Sequence, residues 1–244
     1  MRYVETVNDM TMSIKTKYRV MSINKEQTKE WLLKKHYARR IPSISYSFGL
    51  YSGINLVGVC TYGLPPSDEL TKCCGEENKK YCFELNRLIK NDGLEKNTQS
   101  WFVSQTFKLL PKPMIIISYS DINNGHNGYT YQSLNFLFTG TGGSTHEYLW
   151  WGKELSSRHI NKIEFFDRLK LPYDNNLTIK ENFEKVGGKV LPKVPKNRYI
   201  YFLGDKRKKR EFREKLKYEV LPYPKGDNKR YDTSYNTTTQ IQLF

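Results

Sequence analysis

Five places in the chain set polar side chains at the ends of segments that read as core elements. The first is His36-Tyr37-Ala38-Arg39-Arg40, at the close of a predicted helix. This basic turn either complements the helix dipole or belongs to a site. The second is Glu84-Leu85-Asn86-Arg87, inside a predicted strand. Regular alternation sets Glu84 and Asn86 on one face, Leu85 and Arg87 on the other. Polar groups on both faces of a central strand are costly unless satisfied. Arg87 then either pairs with a carboxylate or holds an anionic substrate group bidentately. The third is Asn97-Thr98-Gln99-Ser100, at a predicted helix N-terminus. These residues cap the helix or receive an anion on its backbone amides. The fourth is Ser118-Tyr119-Ser120-Asp121, where an apolar strand runs into a loop. Carboxyl ends of such strands favour active sites. Asp121 there is a general base, an acceptor for an amine, or the start of an Asx-turn. The fifth is Gly128-Tyr129-Thr130-Tyr131-Gln132-Ser133-Leu134-Asn135. On a helix Tyr131, Gln132 and Asn135 lie near one face. Tyr131 is core packing, or a platform for a flipped base or a cofactor.

Several chemistries leave no motif in this sequence. It contains no P-loop and no H-E-x-x-H zinc motif. It contains no nucleophile elbow and no zinc-deaminase signature. Pro65-Pro66 lacks the neighbours expected of an amino-group DNA methyltransferase. The cysteines, Cys60, Cys73, Cys74 and Cys82, form no C-x-x-C pair. Cys73, Cys74 and Cys82 are a metal cluster or, more simply, reduced thiols.

The elements that must position these residues follow from periodicity. Tyr18–Ile23 reads as a strand and Lys25–His36 as a helix with Asn24 as its cap. Ile44–Tyr51 and Leu56–Tyr62 form a hairpin through Ser52-Gly53-Ile54-Asn55. Gly63–Lys80 reads as a loop and Tyr81–Ile89 as a strand. A helix capped by Asn97 or Thr98 runs to about Leu110. Met114–Tyr119 is apolar throughout, as a strand buried on both faces requires. Tyr129–Phe138 reads as a short helix, Glu147–Trp151 and Arg198–Leu203 as strands. The order predicts an α+β (α/β sandwich) fold with a mixed sheet, not a doubly wound nucleotide fold. Residues 1–155 are expected to form the catalytic core. Residues 156–244 are expected to complete the sheet and end in a basic, partly flexible tail.

Lys and Arg number 40 against 25 Asp and Glu, a net charge of +15 that points to a polyanionic partner. Arg39, Arg40 and the run Lys206, Arg207, Lys208, Lys209 and Arg210 are the candidate phosphate contacts. No apolar run reaches the roughly 18–20 residues of a membrane span. The first residues lack a secretory apolar stretch. A cytoplasmic protein without a membrane partner is expected.

Taken in order, His36-Tyr37, Gly58–Gly63, Glu84–Arg87, Asn97–Ser104, Ser118–Asp121 and Gly128–Gly140 resemble the phage Mom DNA-modification family. The resemblance covers roughly Tyr18–Trp151. It implies a GNAT-type N-acetyltransferase-like fold, with a mostly antiparallel sheet flanked by helices. It implies addition of a carbamoylmethyl group to N6 of adenine in double-stranded DNA, which protects phage DNA from restriction. By the same resemblance His36, Tyr37, Arg87, Asp121 and Tyr131 are the catalytic residues, and Asn97, Thr98, Gln99 and Ser100 receive the group donor. Gln132 and Asn135 join the DNA contacts. The loop Leu94–Ser100 lacks the glycines with which acetyltransferases approach pyrophosphate. The donor is thus unknown, glycine-derived or acyl-CoA-type, and a glycine-derived one suits the two-carbon amide better. An iron ion on His36 and Asp121 is conceivable but completes no metal motif. The rival readings are an acetyltransferase for a protein or small-molecule amine, and a non-catalytic basic DNA-binding protein.

Overall fold

The computed structural model describes residues 13–143, 146–155, 160, 163–226 and 239–240. Strands β1 (Tyr18–Ser22), β2 (Tyr46–Ser52), β3 (Asn55–Gly63), β4 (Cys82–Lys90), β5 (Met114–Ser120) and β6 (Leu137–Gly142) come in chain order. β7 (His146–Trp150), β8 (Lys153–Leu155), β9 (Lys189–Pro192), β10 (Lys196–Leu203) and β11 (Thr239–Gln240) follow. The main sheet runs β1-β2-β3-β4-β5-β10-β6, with β11 paired to β3. Among the described residues of this sheet only β4 and β5 are parallel neighbours; the other pairs are antiparallel. The expected α+β class with a mostly antiparallel sheet is therefore observed. β10 comes from the C-terminal third, so the sheet is incomplete without residues beyond 155.

Helices cover both faces because both faces of the central strands are apolar. Met114 and Ile116 of β5 join the cluster under helix Thr98–Leu109, with Phe102, Val103 and Phe107. Ile115 and Ile117 face the other way, onto Phe212 of helix Lys206–Glu214. Also on that side, Trp31 and Leu32 pack on Val59 and Ile89. β8-β7-β9 form a separate small sheet. Its own core holds Tyr148, Phe165, Phe166 and Phe183. Cys73, Cys74 and Cys82 are free, buried thiols in the Phe212 cluster.

Four sequence expectations need correction. The segment read as a loop before β4 contains two short helices, Asp68–Thr71 and Glu76–Tyr81. The helix expected over Tyr129–Phe138 stops at Gln132, and Leu137 already belongs to β6. The break falls at Asn135, whose left-handed φ of 59° turns the chain. Asn97 occupies the cap position of helix Thr98–Leu109 but its side chain makes no capping bond, because it too is left-handed at φ 68°. Thr98 does not cap it either; its hydroxyl bonds back to the Glu95 carbonyl at 2.7 Å.

The fourth correction bears most on function. Along β3 and β4, Thr61 pairs with Arg87 but Tyr62 pairs with Leu85. Asn86 is the extra residue of a β-bulge, and a bulge re-aims the side chains beyond it. Leu85 and Leu88 therefore enter the same core cluster, which strict alternation forbids. Arg87 leaves the face of Leu85 and joins that of Ile89.

Candidate functional site

β4 and β5 pair over only three residues, Cys82–Glu84 against Ile115–Ile117. Past Glu84, β4 stays with β3 as far as Lys90↔Gly58. Past Ile117, β5 stays with β10 as far as Ser120↔Asn197. Two strands that each follow a different neighbour must part. The Ser118 hydroxyl takes up part of the lost pairing by donating to the Leu85 carbonyl at 2.9 Å. A cleft of about 1410 Å³ opens at the parting and gathers side chains from both faces of the sheet.

His36, Tyr37, Arg87, Asp121 and Tyr131 all line this cleft, as do Asn97, Thr98, Gln99, Ser100 and Arg40. Arg39 does not. Gln132 instead ties its turn together, donating to Asn127 O at 2.8 Å and to Pro224 O at 3.3 Å. Asn135 is spent on the turn before β6. None of Lys206, Arg207, Lys208, Lys209 and Arg210 lines the cleft. Within that helix Lys208 pairs with Glu211 at 2.8 Å and Arg210 with Glu214 at 2.8 Å. The sequence reading gave Glu84 no role and passed over His126, Lys196 and Arg198, all of which line the cleft. Lys196 and Arg198 were within reach: a basic pair at the polar start of an apolar strand marks a sheet end that faces a cavity.

His36 is set by an unusual helix end. The turn Trp31–Lys35 widens so that the His36 amide donates to Trp31 O at 2.9 Å. Such wide turns recur at functional sites. Buried Lys35 reaches Asp92, on the turn after β4, at 3.2 Å, which fixes the helix end over β4. The His36 ring stacks on Tyr37 at 4.3 Å, and Tyr37 meets His126 edge-on at 6.3 Å. His36 Nδ1 accepts from the Ala38 amide at 3.0 Å. A neutral imidazole accepting at Nδ1 carries its proton on Nε2. Burial, aided by the charges of Arg87, Lys196 and Arg40, holds the imidazole down at about 3. His36 is a neutral donor at physiological pH.

That depression is a stability statement. Unfolded His36 gains a proton below its ordinary 6.5, whereas folded His36 refuses one until about 3. Stability is therefore lost as pH falls through that window, by up to about 1.4 kcal/mol per unit. His36→Gln cannot titrate. Between pH 7.5 and pH 5 it is expected to lose up to about 2 kcal/mol less than the natural chain in urea unfolding. Equal losses would show that His36 is protonated in the folded state.

Across the cleft, Asp121 pairs with Lys196 at 2.9 Å, with both side chains largely buried. The Lys196 ammonium lies 5.8 Å from the Tyr37 ring centroid. The Asp121 carboxylate is thus held by an ion pair, not an Asx-turn. Tyr131 packs on Phe136 and Tyr199, each at 5.3 Å. Burial pushes its phenol above the ordinary range, so it stays protonated. Arg87 donates through Nη1 to Asn86 O at 2.6 Å, while its buried Nε has no protein partner. Burial, with Arg40 nearby, pulls its pKa below the ordinary arginine value. Arg198 lies over the Tyr218 ring at 3.5 Å and bonds Thr139 O at 2.8 Å.

The residues do not fit an iron on His36 and Asp121. One nitrogen of His36 is engaged and the other is protonated, and Asp121 is neutralised by Lys196. Among the described residues no group of three His, Cys, Asp or Glu side chains could hold a metal ion. For the donor, the first turn of helix Thr98–Leu109 lines the cleft. Glu95, just before that turn, is paired with Lys17 and Tyr18, which hold its carboxylate at about 2.

A family model described as the Mom protein family matches residues 17–225. The chain belongs to the Mom protein family. It is 32% identical over 198 residues to the methylcarbamoylase Mom of Escherichia phage Mu, covering 78% of this chain and 77% of that protein. The Mom match extends past β10, beyond the segment in which the sequence alone resembled the family. Two solved structures are also similar, each at 11% identity and TM-score 0.38 over 76% of this chain. One is an N-acetyltransferase of Staphylococcus aureus Mu50, covered to 98%; the other is an agmatine N-acetyltransferase, covered to 100%. Among the described residues no helix is long and apolar enough to cross a membrane.

Proposed function

We propose that this Mom-family chain transfers a carbamoylmethyl group to N6 of adenine in double-stranded DNA, and so protects phage DNA from restriction. The observation that carries this reading is the meeting of His36, Tyr37, Arg87, Asp121 and Tyr131 in one cleft. Adenine N6 is a weak nucleophile, and it is paired inside the duplex. The base must leave the stack, which costs roughly a few kcal/mol. Tyr37 and Tyr131 offer aromatic surfaces to the extruded base. The N6–C bond then forms as the bond from the methylene to its leaving group breaks, and N6 gives up one proton. Asp121 accepts a hydrogen bond from the amine and takes that proton, with Lys196 balancing its charge. Arg87 and the Nε2–H of His36 donate to the leaving group as it departs with the electron pair of the broken bond. Exposed Arg40 at the rim holds phosphate.

The test is nucleoside mass spectrometry of plasmid DNA from bacteria expressing the chain. The natural chain is expected to yield an adenosine heavier by one carbamoylmethyl group. Asp121→Ala is expected to yield none while keeping its DNA affinity. An unchanged nucleoside profile from soluble natural chain overturns the proposal, and full modification by Asp121→Ala removes Asp121 from the mechanism.

A further inference from the structure

Among the described residues Trp151 is the most exposed large apolar side chain, at 87%, and no described residue holds it by a ring contact or polar bond. It stands at the tip of the hairpin joining β7 to β8, where Trp150 pairs with Lys153. Trp151 and Gly152 form its two-residue turn with φ of 49° and 75°. A two-residue turn with both φ positive is type I′, which favours Asn-Gly. Tryptophan at the first position strains the backbone, since a Cβ disfavours the left-handed region. Its exposure forgoes a burial gain as well. Among the described residues no ring contact or polar bond offsets either, and an outlier of this kind is a pointer to function.

Its position supplies the rest. His146 and Tyr148 of β7 line the cleft, and Trp151 lies three residues further along, about 10 Å at strand rise. Exposed Lys153 and Lys189 stand across the strands from Trp150 and Leu149. An aromatic tip flanked by lysines suits a stack of bases edged by phosphates.

We propose that Trp151 is a wedge that enters the base stack of duplex DNA and fills the gap left by an adenine turned into the cleft. This rests on the DNA reading above, but not on the chemistry that follows. Unstacking is costly only in a duplex, so the wedge matters there and not on single strands.

Trp151→Asn tests this, since Asn-Gly is the preferred turn and the hairpin is kept. The variant is expected to unfold at the same or a higher temperature. Its modification of duplex DNA should fall roughly tenfold or more, as its help with unstacking is withdrawn. Modification of a single-stranded substrate should be unchanged. Independently of chemistry, acrylamide quenching of tryptophan emission should drop when the natural chain binds a short duplex. The same duplex should leave the quenching of Trp151→Asn unaltered. Full duplex modification by Trp151→Asn, or no shielding in the natural chain, overturns the wedge. Shielding without any modified nucleoside would leave the wedge standing and bring down the proposed transfer instead.

Discussion

Arg87→Ala is expected to lose about 10²–10³ in modification rate, the usual loss when one preorganised donor to a developing charge is removed. The structure makes Arg87 an expensive residue to keep. It sits in the central strand, beyond the Asn86 bulge, at the point where β4 leaves β5. Its Nη1 is satisfied by a backbone carbonyl, but its buried Nε is not. A buried donor left without a partner costs about 1–3 kcal/mol. Removing the guanidinium therefore costs the fold little and can raise the melting temperature. Activity and stability are expected to move in opposite directions. Arg87→Lys keeps a charge but loses the planar fork, and should recover only a small part of the rate. Nucleoside mass spectrometry gives the rate and thermal unfolding the stability. Modification at the natural level by Arg87→Ala would take Arg87 out of the reaction.

The same strand shows what a sequence reveals and what it hides. β5 was legible because four consecutive apolar residues, Met114–Ile117, can be explained only by burial on both faces. The β2–β3 hairpin was legible because Gly53 marks its turn. The bulge at Asn86 was not, because the residues that create it are far away in sequence. Asn86 accepts from Thr61 and donates to the Ser43 carbonyl; no local pattern encodes those contacts. The helix expected through Phe138 failed for a related reason. Phe138 is spaced to extend the apolar stripe of Leu134, yet it lies in β6, paired with Tyr199 of β10. In the site, the types of His36, Tyr37, Arg87, Asp121 and Tyr131 were readable one by one. Their meeting was carried by resemblance to Mom, since segments so far apart in sequence share no periodicity. The basic run Lys206–Arg210 stood out by charge alone, and charge does not report which side of a sheet a helix covers.

Gly63→Ala is expected to be the most damaging small substitution near the site. An added Cβ would meet the Ser43 carbonyl oxygen at 1.9 Å and its carbon at 2.6 Å. Both atoms are backbone, so no side-chain rotation relieves the clash. The Ser43 segment has to lift off β3, and it cannot do so without losing Asn86. The Asn86 amide donates to Ser43 O at 2.7 Å, and the neighbouring Ser45 amide donates to Tyr62 O at 2.7 Å. Overpacking of this kind costs up to about 3 kcal/mol. In a chain of this length that is a fall of roughly 6–12 °C in melting temperature. Arg87 is the next residue along from Asn86, so modification should fall with stability even at temperatures where the chain is folded. Asn86→Ala separates the two effects: it cuts the tie without adding bulk. It is expected to cost about 1 kcal/mol but to lose a comparable share of activity. Natural activity in Asn86→Ala would mean that the bulge positions Arg87 without help from the Ser43 segment. An unchanged melting temperature in Gly63→Ala would mean that this segment is free to move away.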